Sequence, residues 1–161
     1  MLTPFTELPD NSRVWIYQAN RKLSDEEITI TEVRTAEFLK IWTAHGSDLE
    51  AGFEIKYNRF IVIGLNQTNA SASGCSIDAS VRFIQSLEKE FEMDLLDKMN
   101  VTFYNGDFIA HKSLLEFKKM AKARSVSPNT VVFNNLVNTK AEYLENWEVP
   151  AKESWHSRFL A

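Results

Sequence analysis

The run Ser73-Gly74-Cys75-Ser76-Ile77-Asp78 sets the one cysteine of the chain between two serines, at the start of an amphipathic helical stretch. A thiol in that position lies near the positive end of the helix dipole and near amides that have no acceptor inside the helix. Both favour the thiolate, the nucleophilic form of cysteine. The same amides, together with Ser73, Gly74, Ser76 and the guanidinium of Arg82, offer a second chemistry: a site for an anion or a phosphorylated metabolite. A purely structural role competes with both. In it Ser76 caps the helix, Asp78 complements the dipole, Gly74 permits the turn and Cys75 packs as a small hydrophobe.

A thiol nucleophile needs a base. The histidines are His45, His111 and His156, and none is tied to Cys75 by spacing. His45 is the candidate partner, although its place before Gly46 reads as the end of a helix. Metal chemistry finds no ligand set, because the chain has no C-x-x-C and no H-x-x-x-H pair. The nucleophile elbow G-x-S-x-G is missing as well.

Nucleotide chemistry can be tested by counting glycines. They are Gly46, Gly52, Gly64, Gly74 and Gly106, and no two stand at Walker A spacing. No G-x-G occurs either, so the dinucleotide fingerprint is absent and no cofactor is expected.

The runs Trp15 to Arg21 (WIYQANR), Trp42 to Gly46 (WTAHG) and Ser73 to Asp78 (SGCSID) resemble those of a family of small Bacteroidetes proteins labelled "ABC transporter ATPase". That resemblance implies nucleotide binding and hydrolysis. It brings no site residue with it, since neither a Walker A loop nor an LSGGQ signature stands in this sequence.

The elements that must position these residues follow from local pattern. Arg13 to Ala19 is aromatic and β-branched and predicts a strand. Ser24 with Glu27 makes a capping box for a helix whose stripe runs through Val33, Ala36, Leu39 and Thr43, beside Phe38 and Trp42, and stops at His45-Gly46. Phe53, Ile55 and Tyr57 alternate with polar residues as in a half-buried strand. Asn58-Arg59 is the expected turn, and Phe60 to Leu65 is apolar throughout, as in a strand covered on both faces. After the small polar loop 66–74, Ile77, Val81, Ile84, Leu87 and Phe91 mark the apolar face of a second helix over about 76–96. Asn105-Gly106 predicts a hairpin between 101–104 and 107–111. A helix over 114–123, an extended piece at 130–133 and a capped helix from Thr139 toward Trp147 complete the order. Trp155, His156 and Phe159 make the tail a packing element.

This is β-α-β-β-α-β with a C-terminal extension, the pattern of a ferredoxin-like sandwich in the α+β class with a mostly antiparallel sheet. The 161 residues suit one domain spanning 1–161. A single cysteine, an N-terminal stretch without a basic region leading into an apolar run, and no apolar stretch of membrane-spanning length place the chain in the cytoplasm, away from the bilayer. The net charge of −4 argues against a dedicated nucleic-acid binder, and the basic cluster Lys112, Lys118, Lys119, Lys122 and Arg124 reads as a solvated face.

Two functions are expected from this pattern. One is a binding or assembly module that meets a protein partner or a second copy through a Trp15/Tyr17 sheet face or through the aromatic tail. The other is a small thiol enzyme, or an anion-binding protein, with its site at the 73–78 turn.

Overall fold

The computed structural model describes residues 1–160 and divides the chain into two compact units. Unit 1 comprises Met1–Leu96 with Asn138–Ala141, and unit 2 comprises Asp97–Val137 with Glu142–Ala161. The class is mixed α and β, with antiparallel sheets.

Unit 1 contains β1 (Arg13–Gln18), α1 (Asp25–Ile41), β2 (Thr43–Ala44), β3 (Ser47–Asp48), β4 (Glu50–Lys56), β5 (Phe60–Asn66) and α2 (Gly74–Phe91). Its main sheet has the order β1-β5-β4, and β5 runs antiparallel to both neighbours. β1 and β4 therefore run the same way with β5 inserted between them, which is a split β-α-β unit. The ferredoxin-like expectation placed a fourth strand, 101–104, in this sheet. That strand pairs instead with two others in a separate sheet of unit 2. The free edge of β1 is met by a short stretch of chain, with Arg13 opposite Thr139 and Val14 N–H donating to the Asn138 carbonyl at 2.9 Å.

α1 begins at the expected capping box: Ser24 Oγ accepts from Glu27 N–H while the Glu27 carboxylate accepts from Ser24 N–H. Its buried stripe is Thr31, Thr35 and Leu39, one turn apart, and Val33 faces solvent. The stripe is rotated from the expected one because threonines, not valine, face the sheet. α2 is buried along Ser76, Ser80, Ile84, Leu87 and Phe91. These residues close over Tyr17, Ile61, Ile63 and Leu65, and Trp15 packs at the margin of the same cluster. Each fully buried aliphatic side chain there contributes about 1.5–3 kcal/mol. Tyr17 thus lies in the packed cluster between the sheet and the helices, and Trp15 is partly buried at its margin.

On the β4–β5 part of the sheet the N-terminal segment lies against two glycines. Gly52 and Gly64 are cross-strand partners in the β4–β5 register. A Cβ on Gly52 would run into the Thr3 carbonyl oxygen and come within 2.9 Å of the Phe5 amide nitrogen. A Cβ on Gly64 would lie 2.7 Å from Leu8 Cδ1. The missing side chains let the backbone of residues 3–8 lie flat on the sheet. Gly64 is buried beneath this segment, and Phe60 and Val62 of the same strand are buried too, so β5 is the inner strand its apolar run predicts.

Unit 2 contains β6 (Asn100–Asn105), β7 (Phe108–Ser113), α3 (Leu114–Lys122), β8 (Val131–Phe133) and β9 (Glu148–Pro150), in a sheet ordered β7-β6-β8-β9. α4 (Lys140–Asn146) begins in unit 1 and ends in unit 2. The β6–β7 hairpin is present, with its tip one residue later than the Asn-Gly pair suggests. Asn105 pairs with Phe108, so Gly106-Asp107 is the loop and Gly106 supplies the positive φ of 65°. Val101, Phe103, Phe117, Val126, Val132 and Val149 form the core, against which Trp155, Phe159 and Leu160 of the tail pack. Among the described residues no helix is long and apolar enough to cross a membrane.

Candidate functional site

In unit 1 a groove of about 450 Å³ lies where the end of α1 meets the start of α2. Phe38, Ile41 and Trp42 form its apolar side, and His45, Ser73, Cys75 and Ser76 contribute polar groups. Two local features build it.

The first is the β2–β3 hairpin. His45 was expected to close a helix, but α1 ends at Ile41 and Trp42 is already extended. Ala44 pairs with Ser47, and His45-Gly46 is the two-residue tip, with φ of 51° and 79°. Both positive φ values suit the mirror-type turn of a tight hairpin, with Gly at the second position. The turn leaves the His45 ring exposed at the groove.

The second is the first turn of α2. Its N-cap is Ser73, not Ser76. Ser73 Oγ accepts from Ser76 N–H at 3.1 Å, and Ser76 Oγ accepts from Ser73 N–H at 2.7 Å. Ser76 Oγ also donates to the Ser73 carbonyl at 2.8 Å. Each hydroxyl is therefore engaged with the backbone of the other serine, and Ser76 is buried. Gly74 and Cys75 occupy the first two helical positions, where the amides have no intrahelical acceptor. Cys75 is exposed and faces the groove.

The wall between these features is held by one hydrogen bond and a run of packed rings. Trp42 Nε1 donates to the Ser76 carbonyl at 2.8 Å in a buried bond. Phe38 packs on Trp42 with ring centroids 5.6 Å apart and stacks on Phe83 at 4.7 Å. Trp15 meets the other side of Trp42 edge-on at 6.0 Å. Ile41, at the end of α1, is 76 % exposed beside the groove, a large apolar side chain with nothing of unit 1 closing over it.

The structure thus brings Cys75, His45, Ser73 and Ser76 to one groove, while Gly74 is exposed at the helix start with open space around it. Arg82 does not join them. It is exposed on α2 and lies roughly 10 Å further along the helix axis than Cys75. Arg21 is also engaged elsewhere, in a two-pronged pair with Glu27 and a 2.6 Å bond to the Phe91 carbonyl. No lysine or arginine is among the groove-lining residues. His111 and His156 belong to unit 2. Among the described residues no cluster of three or more His, Cys, Asp or Glu is placed to hold a metal ion.

Phe38, Ile41, Trp42 and Thr43 were not read as site residues from sequence. Their signal was present in the aromatic-rich end of α1, but it reads equally as core. Comparison with protein-family models, curated proteins and solved structures finds no match to this chain.

Proposed function

We propose that this chain is a binding module whose groove at the α1–α2 junction takes a small ligand with an apolar or aromatic body and a polar end. The observation that carries the reading is the convergence of His45 and Cys75, from two different elements, on a groove walled by Phe38, Ile41 and Trp42. Apolar walls with a few convergent polar groups are the usual form of a small-molecule site. The ligand's body would lie against Ile41 and Phe38, and its polar end would meet the His45 ring and the Gly74 and Cys75 amides. The reading suits a reducing cytoplasm, where a lone exposed thiol stays free. It requires no nucleotide, which agrees with the missing phosphate loop.

A thermal-shift screen of the whole chain against aromatic carboxylates and phosphorylated metabolites tests it. A ligand should raise Tm, the shift should vanish in Ile41→Glu, and it should persist in Cys75→Ser. A shift that survives Ile41→Glu, or no shift across the panel, rules the groove out.

A second reading is favoured by the exposure of Cys75 on the groove that His45 also lines. In it Cys75 is a nucleophile and His45 the base that takes its proton. Iodoacetamide should then modify Cys75 near neutral pH faster than a thiol in an unstructured peptide. His45→Asn should slow the reaction, since Asn tolerates the positive φ at that tip. Equal rates in the two proteins would remove this reading and leave simple binding.

A further inference from the structure

Unit 2 carries a second, chemically different concavity. A groove of about 250 Å³ is lined by Met99, Leu114, Leu136, Trp155 and Phe159, with Lys98 and Arg158 among its lining residues. Met99 is 63 % exposed and Leu136 59 %, so two large apolar side chains stand open to water on the same feature. Cations surround the tail ring beside them. Lys118 Nζ lies 4.9 Å from the Phe159 centroid, and Arg158 Cζ lies 5.9 Å from it.

Among the described residues, the ion pairs join Arg21 to Glu27, Arg34 to Glu90 and Lys56 to Glu54, and none engages Lys98, Lys118 or Arg158. The neighbouring carboxylate, Asp97, is turned away to the Met99 amide at 2.9 Å and the Asn100 side-chain amide at 3.1 Å. Lys118 belongs to the stretch 112–124, which carries five cations and one carboxylate in a chain whose net charge is −4. An apolar floor with unpaired positive charge at its edge is complementary to one kind of occupant: an apolar side chain flanked by carboxylates. The concave shape favours an inserted side chain over a flat bilayer surface.

We infer that this groove docks an acidic peptide segment of a partner protein, whose leucine or aromatic side chain enters beside Met99, Leu136 and Trp155 while its Asp or Glu side chains meet Lys98, Lys118 and Arg158. The inserted side chain supplies the affinity. The rim cations supply orientation and association rate, so binding weakens as salt rises.

The test is selection of a random dodecapeptide phage library on the immobilised full chain, followed by fluorescence polarisation with the most enriched peptide. Enriched sequences should pair Leu, Phe or Trp with Asp or Glu. Affinity should fall about tenfold or more in Leu136→Asp and in the Lys98→Glu/Arg158→Glu double variant, and should fall with added salt. All three positions are exposed, so folding is checked by far-ultraviolet circular dichroism. Met99→Gln provides a milder second variant with the same expected direction. No enrichment, enrichment of neutral or basic peptides, or affinity indifferent to these variants overturns the inference. So does a dimer in sedimentation that Leu136→Asp dissociates, which would give the groove to a second copy. Co-sedimentation with phosphatidylserine vesicles through the same residues would give it to a membrane and likewise overturn it.

Discussion

The indole Nε1 of Trp42 donates to the backbone carbonyl of Ser76 at 2.8 Å, both residues being buried. This bond joins the residue just past α1 to the first turn of α2 across 34 positions of sequence. It sets the separation of the two walls of the unit 1 groove.

Trp42→Phe removes this donor and also leaves a smaller ring in a buried space shaped for the indole. The expected cost is about 1 kcal/mol for the lost hydrogen bond plus about 1 kcal/mol or more for the smaller buried ring, seen as a lower urea midpoint. Any ligand found for the groove should bind less tightly to this variant. Unchanged affinity together with lowered stability would show that the bond serves the fold alone.

Gly52→Ala and Gly64→Ala should differ, although the two residues face each other across β4 and β5. At Gly52 the obstacle is the backbone of Thr3 and Phe5, which cannot move without lifting the N-terminal segment. At Gly64 the nearest atoms belong to the Leu8 and Phe5 side chains, which can give way. Overpacking of this kind costs about 1–3 kcal/mol, and Gly52→Ala should lie at or above the top of that range. Denaturant titration of both variants decides it. Equal losses would contradict the backbone argument.

His156 is fully buried, with Nδ1 2.6 Å from Ser154 Oγ and the ring stacked on Trp155 at 3.9 Å. Burial holds its pKa down at about 4, below the usual 6.5. The unfolded chain therefore binds the proton first as pH falls. The contribution is intact above pH 6.5 and is lost progressively between there and about 4, to a total on the order of 3 kcal/mol. Glu27 behaves differently: its hydrogen bond to Arg21 lowers its carboxyl to about 2 from 4.5, so its stabilisation persists until pH falls below 4.5. Urea midpoints between pH 7.5 and 4.5 should thus fall in the wild type and fall less in His156→Gln. A flat wild-type profile over that range would contradict a buried neutral ring.

Lys140 is buried, and its ammonium donates to the Leu8 carbonyl at 2.7 Å and the Thr6 carbonyl at 3.0 Å, beside the Phe5 ring. It clamps the segment that covers the glycines of the sheet. Lys140→Met keeps the aliphatic bulk and leaves these carbonyls without their charged donor. Hydrogen bonds to a charged group are worth about 1.5–3 kcal/mol, and the loss should approach that range. Proteolysis within residues 1–8 should rise in the same variant. Wild-type resistance there would show that the segment is held by its apolar contacts alone.

Much of the local structure was legible. The Ser24–Glu27 box, the two-faced burial of Phe60 to Leu65 and the helix over Ile84, Leu87 and Phe91 depend on residues within one or two turns of each other. Turn positions were harder to place. The β4–β5 turn contains the expected Asn58-Arg59 but starts one residue earlier, with positive φ at Tyr57 and Asn58, and Gly106-Asp107 forms the tip expected at Asn105-Gly106. A hairpin's register depends on which cross-strand pairs bury well, and the turn residues alone do not fix that. Cys75 could be read as a helix-start residue, but its exposure could not, because exposure depends on what α1 and the β2–β3 hairpin leave open.

By itself the chain of residues determined the class, the principal helices and strands, and the absence of a phosphate-binding loop, since these rest on composition, spacing and short-range periodicity. Only the tertiary structure decided that residues 100–105 join a second sheet, that Trp15 and Tyr17 face the core of unit 1, and that His45 and Cys75 meet at one groove. Strand partners and side-chain neighbours distant in sequence are chosen by competition for burial among all the elements together. No local pattern encodes the outcome of that competition.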